Sequence, residues 1–273
     1  MRAALLLASW LTLHSFAFAQ SQDLSVVPGK LALPEVSLQV QHDVPTLVGV
    51  QRAGLRPEVH RLPDGRHALM TTHDAWILRV DLEHAQVVAQ VRAGESLSGA
   101  ALSDTKSGLP TVLAVASYAP HSLVFVDEHL RLLKHLPITA RTGQQTSAAK
   151  TLLTATARDS FVVSLADLPE LWEISYRPTA PEIAQGMVHD FQYREGSFVP
   201  GYLNPRRIAL ESPAVDLCLS GDGHEVLSLH DGAGLTSPEG GRRVSVTHLD
   251  VGRKIAEMTL PAGWRLAQLV QIN

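Results

Sequence analysis

Polar and aromatic side chains that can bind an anion or a planar ligand are concentrated between residues 189 and 207. They are His189, Asp190, Tyr193, Arg194, Asn204, Arg206 and Arg207. The segments around them are too rich in Gly and Pro to form a helix, and connections between strands often carry binding residues. Arg206 and Arg207 are the best candidates for binding an anion. The alternative is a solvated pair or a structural pair that forms salt bridges.

Other kinds of site have little local support in the sequence. The 13 histidines are scattered, and no two have the spacing of a helix-borne zinc motif. There is no nucleophile elbow and no glycine loop that would bind phosphate. A net charge of −4 without a basic stripe argues against a nucleic-acid partner. The single cysteine, Cys218, excludes an internal disulfide framework and fits a buried small hydrophobe.

The amino terminus has the features of an export signal. Arg2 precedes an apolar stretch, and Ala17, Phe18 and Ala19 fit the small-x-small rule for cleavage before Gln20. We therefore expect a signal peptide over residues 1–19, one domain over residues 20–273, and a periplasmic mature protein. A retained anchor is the alternative. Because no later segment has about 18 uninterrupted apolar residues, no membrane contact is expected after cleavage.

Short strands recur along the rest of the chain with turn signals between them. A first unit has strands over residues 68–71, 75–80 and 86–91 after the turn at Asp64 and Gly65. A second unit begins at Ala101 and has its strands over residues 112–117, 122–126 and 131–136. A third begins near Ser147 and a fourth spans residues 214–260. A period of roughly 40 to 50 residues with several strands per unit indicates β-propeller blades, with a β-sandwich as the alternative. The segment from Pro178 to Arg207 is too long for a turn between blades.

Several ordered stretches of the chain resemble the cytochrome d1 haem-domain family. They are DGRHALMTTHDAWILRVDL, VVAQVRAG, VASYAPHSLVFVDEHLRLL, SFVVSLADLPELWEISY, VHDFQYREGSFVPGYLNPRR and HLDVGRKIAEMTLPAG. The resemblance implies an all-β, eight-bladed propeller with haem d1 over its central channel. A family member is longer than this chain, so we expect an incomplete propeller of about four to five blades. Three alternatives stay open: a truncated product, a degenerate paralogue, or a half-propeller that is completed by a protein partner or by self-association.

The resemblance also implies roles for individual residues. His60, which precedes the DGR turn, is the expected axial ligand of the haem iron, with a solvated turn residue as the alternative. His121, in YAPHSL, either lines the pocket or caps a backbone group. Tyr118 either stacks on the macrocycle or fills the channel wall. With Arg206 and Arg207 near its carboxylates, these residues form the predicted tetrapyrrole site. Trp172 is expected in the core and Glu173 on the opposite face of its strand.

Three positions depart from the family pattern. Family members usually carry a cation where this chain has Ser98, Ala148 and Ala166. Cations pair with the several carboxylates of haem d1, and each charged hydrogen bond contributes about 1.5 to 3 kcal/mol. Two hypotheses therefore stand. In one, the chain binds haem d1 or a precursor tetrapyrrole, in maturation, delivery or nitrite-reductase-related chemistry. In the other, it is a non-catalytic scaffold for protein–protein interaction that has lost the haem.

Overall fold

The computed structural model describes residues 37–41, 44–48, 58–72, 74–104, 108–190, 195–231, 241–261, 263 and 265–266. Side chains are described for these residues except 37–48, 58, 186–190 and 195–196. The predicted signal peptide therefore lies outside the described residues, and so do Tyr193 and Arg194. Among the described residues, no helix is long and apolar enough to span a membrane.

The chain folds into antiparallel sheets of four strands each, preceded by one hairpin. The hairpin pairs β1 (Ser37–Gln41) with β2 (Val44–Val48). Blade 1 consists of β3 (Glu58–Arg61), β4 (His67–Thr71), β5 (Trp76–Asp81) and β6 (Gln86–Arg92). Blade 2 consists of β7 (Leu97–Leu102), β8 (Val112–Ser117), β9 (Ser122–Asp127) and β10 (Leu132–Pro137).

The later blades have the same antiparallel order, with one insertion. Blade 3 consists of β11 (Ala149–Ala155), β12 (Ser160–Leu165), β13 (Glu170–Ser175) and β16 (Pro205–Ala209). A separate hairpin, β14 (Ile183–Asp190) with β15 (Glu195–Val199), is inserted between β13 and β16. Blade 4 consists of β17 (Asp216–Leu219), β18 (Glu225–Leu229), β19 (Arg242–His248) and β20 (Arg253–Leu260). A 3-10 turn at Thr156–Arg158 connects β11 to β12 in blade 3.

These sheets are the blades of a β-propeller, as the sequence predicted. The first strands of consecutive blades contact each other, β7 with β11 and β11 with β17, so they line the channel. The middle strands β8 and β9 are buried at every residue because neighbouring blades cover both of their faces. This burial explains why they read as continuous apolar runs rather than as alternating strands. The four blades and the β1–β2 hairpin agree with the predicted four to five blades.

Hydrophobic clusters join the blades in pairs. Ile77 of blade 1 packs in one cluster with Leu113 of blade 2. Phe125 of blade 2 shares a cluster with Phe161 and Trp172 of blade 3, and the Phe125 and Phe161 ring centroids are 6.1 Å apart. A third cluster spans blades 3 and 4. The core is therefore a series of layers between blades, as the repeated units require.

The structure corrects the predicted insertion from Pro178 to Arg207. The insertion lies within blade 3, between its third and fourth strands, and it ends before Pro205. At its base, a Cβ atom on Gly201 would lie 2.1 Å from the carbonyl oxygen of Pro181, so the chain can close there only through glycine. Arg206 and Arg207 are consequently residues of strand β16 and not of a loop. Proline at the first position of a blade's edge strand leaves the ladder intact, which makes this assignment compatible with Pro205.

Candidate functional site

One end of the channel collects the connections β4–β5, β8–β9 and β12–β13 together with the loops between blades. This placement follows from the antiparallel order, since alternate connections of each blade emerge at the same end. We use the name channel rim for six residues at this end of blades 2 and 3. They are Ser98, Tyr118, His121, Ala148, Lys150 and Ala166.

The β8–β9 turn presents an aromatic pair at the channel rim. The rings of Tyr118 and His121 meet edge to face, with centroids 5.3 Å apart, and Tyr118 is 57% exposed. The turn contains a cis Ala119–Pro120 peptide bond. Backbone hydrogen bonds hold the turn against the loop between blades 1 and 2, from Tyr118 N–H to the Ser96 carbonyl (2.9 Å) and from Glu95 N–H to the Ala119 carbonyl (2.8 Å). The exposed ring is therefore positioned by the scaffold and open to a planar ligand.

Gly94 allows this close approach between the loop and the turn. A Cβ atom at residue 94 would lie 2.3 Å from Ser117 Oγ and 2.9 Å from the Ala119 carbonyl oxygen. Both distances are shorter than van der Waals contact, so a larger residue would push the β8–β9 turn away. The RAG sequence that contributed to the family resemblance thus has a structural reason for its glycine.

Two β-bulges occur at matching positions on the first strands of blades 2 and 3. Strand β7 pairs Leu97 with Ser117 and then Gly99 with Ala116, which leaves Ser98 as the extra residue. Strand β11 pairs Ala149 with Leu165 and then Thr151 with Ser164, which leaves Lys150 extra. A bulged residue leaves the ladder and points away from the pleat. Ser98 and Lys150 are both exposed, and each lies on the first strand of its blade.

The three positions that depart from the family pattern lie together at the rim. The Ser98 hydroxyl donates to the Ala149 carbonyl over 3.2 Å, which links blade 2 to blade 3 beside Ala148. The Ala166 N–H donates to the Ala148 carbonyl over 2.9 Å. Ala148 is buried and Ala166 half-buried. These hydrogen bonds therefore bring the three small residues close to the β11 bulge that contains Lys150, a residue that the sequence analysis missed. Its sequence signal is its place two residues after Ala148.

His60, the predicted axial ligand, lies on the first strand of blade 1. It is half-buried and pairs with Leu69 across β3 and β4. Burial holds the pKa of its imidazole below the ordinary value of 6.5. The neutral ring that results is the form in which histidine binds a metal ion. The structure thus gives His60 the protonation state that an iron ligand needs, while its role as ligand stays a prediction.

Arg206 takes part in a network of ion pairs between blades 3 and 4. Its Nε donates to Glu173 Oε2 over 3.1 Å, and a terminal nitrogen also contacts the Leu249 carbonyl. Arg158 Nε donates to Glu173 Oε1 over 2.7 Å, and Arg158 Nη1 donates to Asp250 over 2.7 Å. Glu173 is 8% exposed. The arginine that the sequence proposed for an anionic ligand is thus bound to a carboxylate of the protein.

Arg207 points to the opposite face of β16, towards blade 2. Its guanidinium carbon lies 4.6 Å from the centroid of the buried Trp172 ring, and Nη1 donates to the Thr139 carbonyl over 2.8 Å. Burial lowers the pKa of Arg207, although the nearby Glu170 carboxylate opposes that change. Trp172 and Glu173 have the core and opposite-face positions predicted for them. The five predicted site residues therefore lie on three blades, and the structure brings the rings of Tyr118 and His121 into contact.

A small acidic group in blade 1 was not anticipated from the sequence. Ligand atoms of Asp81, Glu83 and His84 lie within 4.8 Å of one another. However, Arg66 Nη2 donates to Asp81 over 2.9 Å, and this hydrogen bond is the main reason that the pKa of Asp81 is well below its usual range. Because Asp81 already has a cationic partner, we interpret the group as a structural turn at the end of β5.

The chain is similar to known proteins of the cytochrome d1 type. A family model described as the cytochrome D1 heme domain matches residues 56–256. The chain is 35% identical over 181 residues to dihydro-heme d1 dehydrogenase of Pseudomonas aeruginosa strain PAO1, covering 64% of this chain and 33% of the relative. It is also similar to the structure of dihydro-heme d1 dehydrogenase NirN in complex with DHE. That similarity has 30% identity and a TM-score of 0.57 and covers 77% of this chain and 38% of NirN. The chain thus spans about a third of the length of these relatives.

Proposed function

The chain belongs to the cytochrome D1 heme domain family, and from this premise we propose that it binds haem d1 or a precursor tetrapyrrole at the channel rim. The observation that carries the proposal is the similarity to NirN, whose structure contains the ligand DHE and matches 77% of this chain at 30% identity. The proposed roles are maturation or delivery of the tetrapyrrole, or chemistry related to nitrite reduction. We place the protein in the periplasm because of the signal features in residues 1–19.

The chemistry of the described residues fits such a ligand. The exposed Tyr118 ring offers a face for stacking, and its edge-to-face contact with His121 limits its movement. Lys150 supplies a positive charge among small side chains, which leaves room for a carboxylate. His60 supplies a neutral imidazole for the iron. When bound, the iron of the tetrapyrrole would supply the redox chemistry, and these residues would bind and orient the macrocycle.

A scaffold without haem is the second candidate function. Two observations favour it: Ser98, Ala148 and Ala166 bring no charge to the rim, and Arg206 is bound to Glu173. In this case the blades would serve as a surface for a protein partner. The two candidates differ in whether the folded chain binds a tetrapyrrole at all.

An optical titration of the purified chain with haem d1 tests the proposal, with ordinary haem as the control ligand. We expect a saturable shift in the Soret and long-wavelength bands with haem d1. His60→Ala should abolish the ligand-field part of this shift, because alanine offers no lone pair to iron. The matched control is His129→Ala, which removes an exposed histidine from the β9–β10 turn of blade 2. A folded, β-rich protein without any spectral change would support the scaffold.

A further inference from the structure

We propose that Lys150 binds a carboxylate of the tetrapyrrole and is the main cationic determinant of ligand choice at the channel rim. The inference rests on the proposed tetrapyrrole function and adds a specific residue to it. It starts from the β-bulge in β11, which makes Lys150 the unpaired residue between Ala149 and Thr151. The neighbouring Ala148 and Ala149 are 5% and 3% exposed, whereas Lys150 is exposed. The bulge therefore turns one long charged side chain out of an otherwise buried segment.

Strand β7 has a bulge at the position that matches the β11 bulge, so both blades of the channel rim have an unpaired residue there. Ser98 occupies the equivalent position in blade 2, and its hydroxyl hydrogen bond to the Ala149 carbonyl places it beside Lys150. The first strands of blades 1 and 4 pair without a register shift over their described residues. Bulges often redirect a side chain towards a functional site. Here they redirect a hydroxyl and an ammonium group to the same part of the channel.

Lys150 is also available for a ligand. Within the part of the chain whose side chains are described, it forms no ion pair, in contrast to Arg158, Arg206 and Arg207. Its flexible stem and compact charge suit a carboxylate whose position differs from ligand to ligand.

The test compares Lys150→Gln and Lys150→Arg with the unaltered chain in titrations with haem d1 and with haem d1 whose carboxylates are esterified. We expect Lys150→Gln to weaken binding of the free acid about 10-fold or more, as for loss of a charged hydrogen bond. Lys150→Arg should restore most of the affinity. The ester should bind the unaltered chain and Lys150→Gln equally. The matched control is Arg253→Gln, which removes an exposed charge from the outer strand of blade 4.

The outcomes separate this inference from the function on which it rests. If the unaltered chain binds the free acid and Lys150→Gln binds it equally well, the role of Lys150 is wrong and tetrapyrrole binding stands. If the unaltered chain does not bind haem d1 saturably while circular dichroism shows it folded, both proposals are overturned. A loss in Lys150→Gln that is equal for the acid and the ester would also overturn the proposal, because it would show a change of shape and not a lost ion pair.

Discussion

Arg206 and Glu173 face each other across the β13–β16 strand pair, and their side chains form an ion pair on the face of blade 3 that meets blade 4. Arg158 contacts the same carboxylate from the turn after β11, and Asp250 of blade 4 contacts Arg158. Two arginines and two carboxylates therefore join blades 3 and 4. Burial alone would lower the pKa of Arg158, but its hydrogen bonds and charge interactions with Glu173 and Asp250 together raise it.

Glu173→Gln should destabilise the protein by roughly 3 kcal/mol, near the lower end of the range for breaking a buried ion pair. The mutation leaves Arg158 and Arg206 close together without their shared carboxylate. Denaturant unfolding at neutral pH measures the change. Glu257→Gln on the outer strand of blade 4 is the control, because Glu257 is exposed and its loss should cost less than about 1 kcal/mol. Equal effects of the two mutations would show that the network contributes little.

Gly94→Ala should destabilise the protein by about 1 to 3 kcal/mol and displace the β8–β9 turn, because the new Cβ would overlap Ser117 and Ala119. Gly99→Ala is a matched control on the adjacent strand, where a Cβ would meet no atom within 4 Å. Thermal unfolding of the two variants measures the difference. A Gly94→Ala variant as stable as Gly99→Ala would mean that the loop moves away from the turn without cost.

Tyr118→Leu should leave stability unchanged but weaken tetrapyrrole binding about 3- to 10-fold, as expected for one aromatic contact. The reason is that Tyr118 is 57% exposed and has its ring at the rim. The haem d1 titration measures the affinity, and Leu133→Ala, at an exposed position on the outer strand of blade 2, is the control. Unchanged affinity in Tyr118→Leu would place the ligand away from the β8–β9 turn.

His230 should make the protein less stable as the pH falls from about 7 towards 5. Its Nδ1 lies 2.9 Å from Ser212 Oγ and its Nε2 lies 2.7 Å from Ser245 Oγ, and burial lowers its pKa below the ordinary 6.5. Between the folded and the unfolded pKa, the unfolded chain therefore binds more protons than the folded chain. Stability from this group is complete above the unfolded pKa and is lost as the pH falls through the folded pKa. Burial shifts the pKa of His60 and His135 in the same direction.

Unfolding midpoints at pH 7 and pH 5 test this expectation. In His230→Gln the difference between the two midpoints should be smaller than in the unaltered chain, whereas the exposed His129→Gln should not change it. The same difference in all three proteins would show that His230 does not contribute to the acid sensitivity.

Much of the fold could be read from local sequence signals. The Asp64–Gly65 turn is one example: Asp64 Oδ1 accepts the N–H groups of Arg66 and His67, and Gly65 has a φ of 67°. A turn of this kind can be predicted from sequence because the groups that form it are neighbours in the chain. The apolar runs of β8 and β9 were equally readable, because each run is continuous in the chain. The core position of Trp172 followed from strand alternation, which also depends only on adjacent residues.

The candidate site depended on contacts between distant segments. Ser98, Ala148 and Ala166 were identified separately in the sequence, and only the packing of blade 2 against blade 3 brings them to one rim. Local composition placed Arg206 and Arg207 in a loop, but pairing with β13 makes them strand residues that face opposite neighbours.

The sequence by itself therefore determined the repeat, the strand type and the family of this protein, because these depend on residue order and on period-two patterns. Only the tertiary structure decided which cations form ion pairs and which one a β-bulge leaves out of the strand ladder. Lys150 shows the physical reason: a bulge arises from the register between two strands, and register is a property of the pair that neither strand's sequence specifies alone.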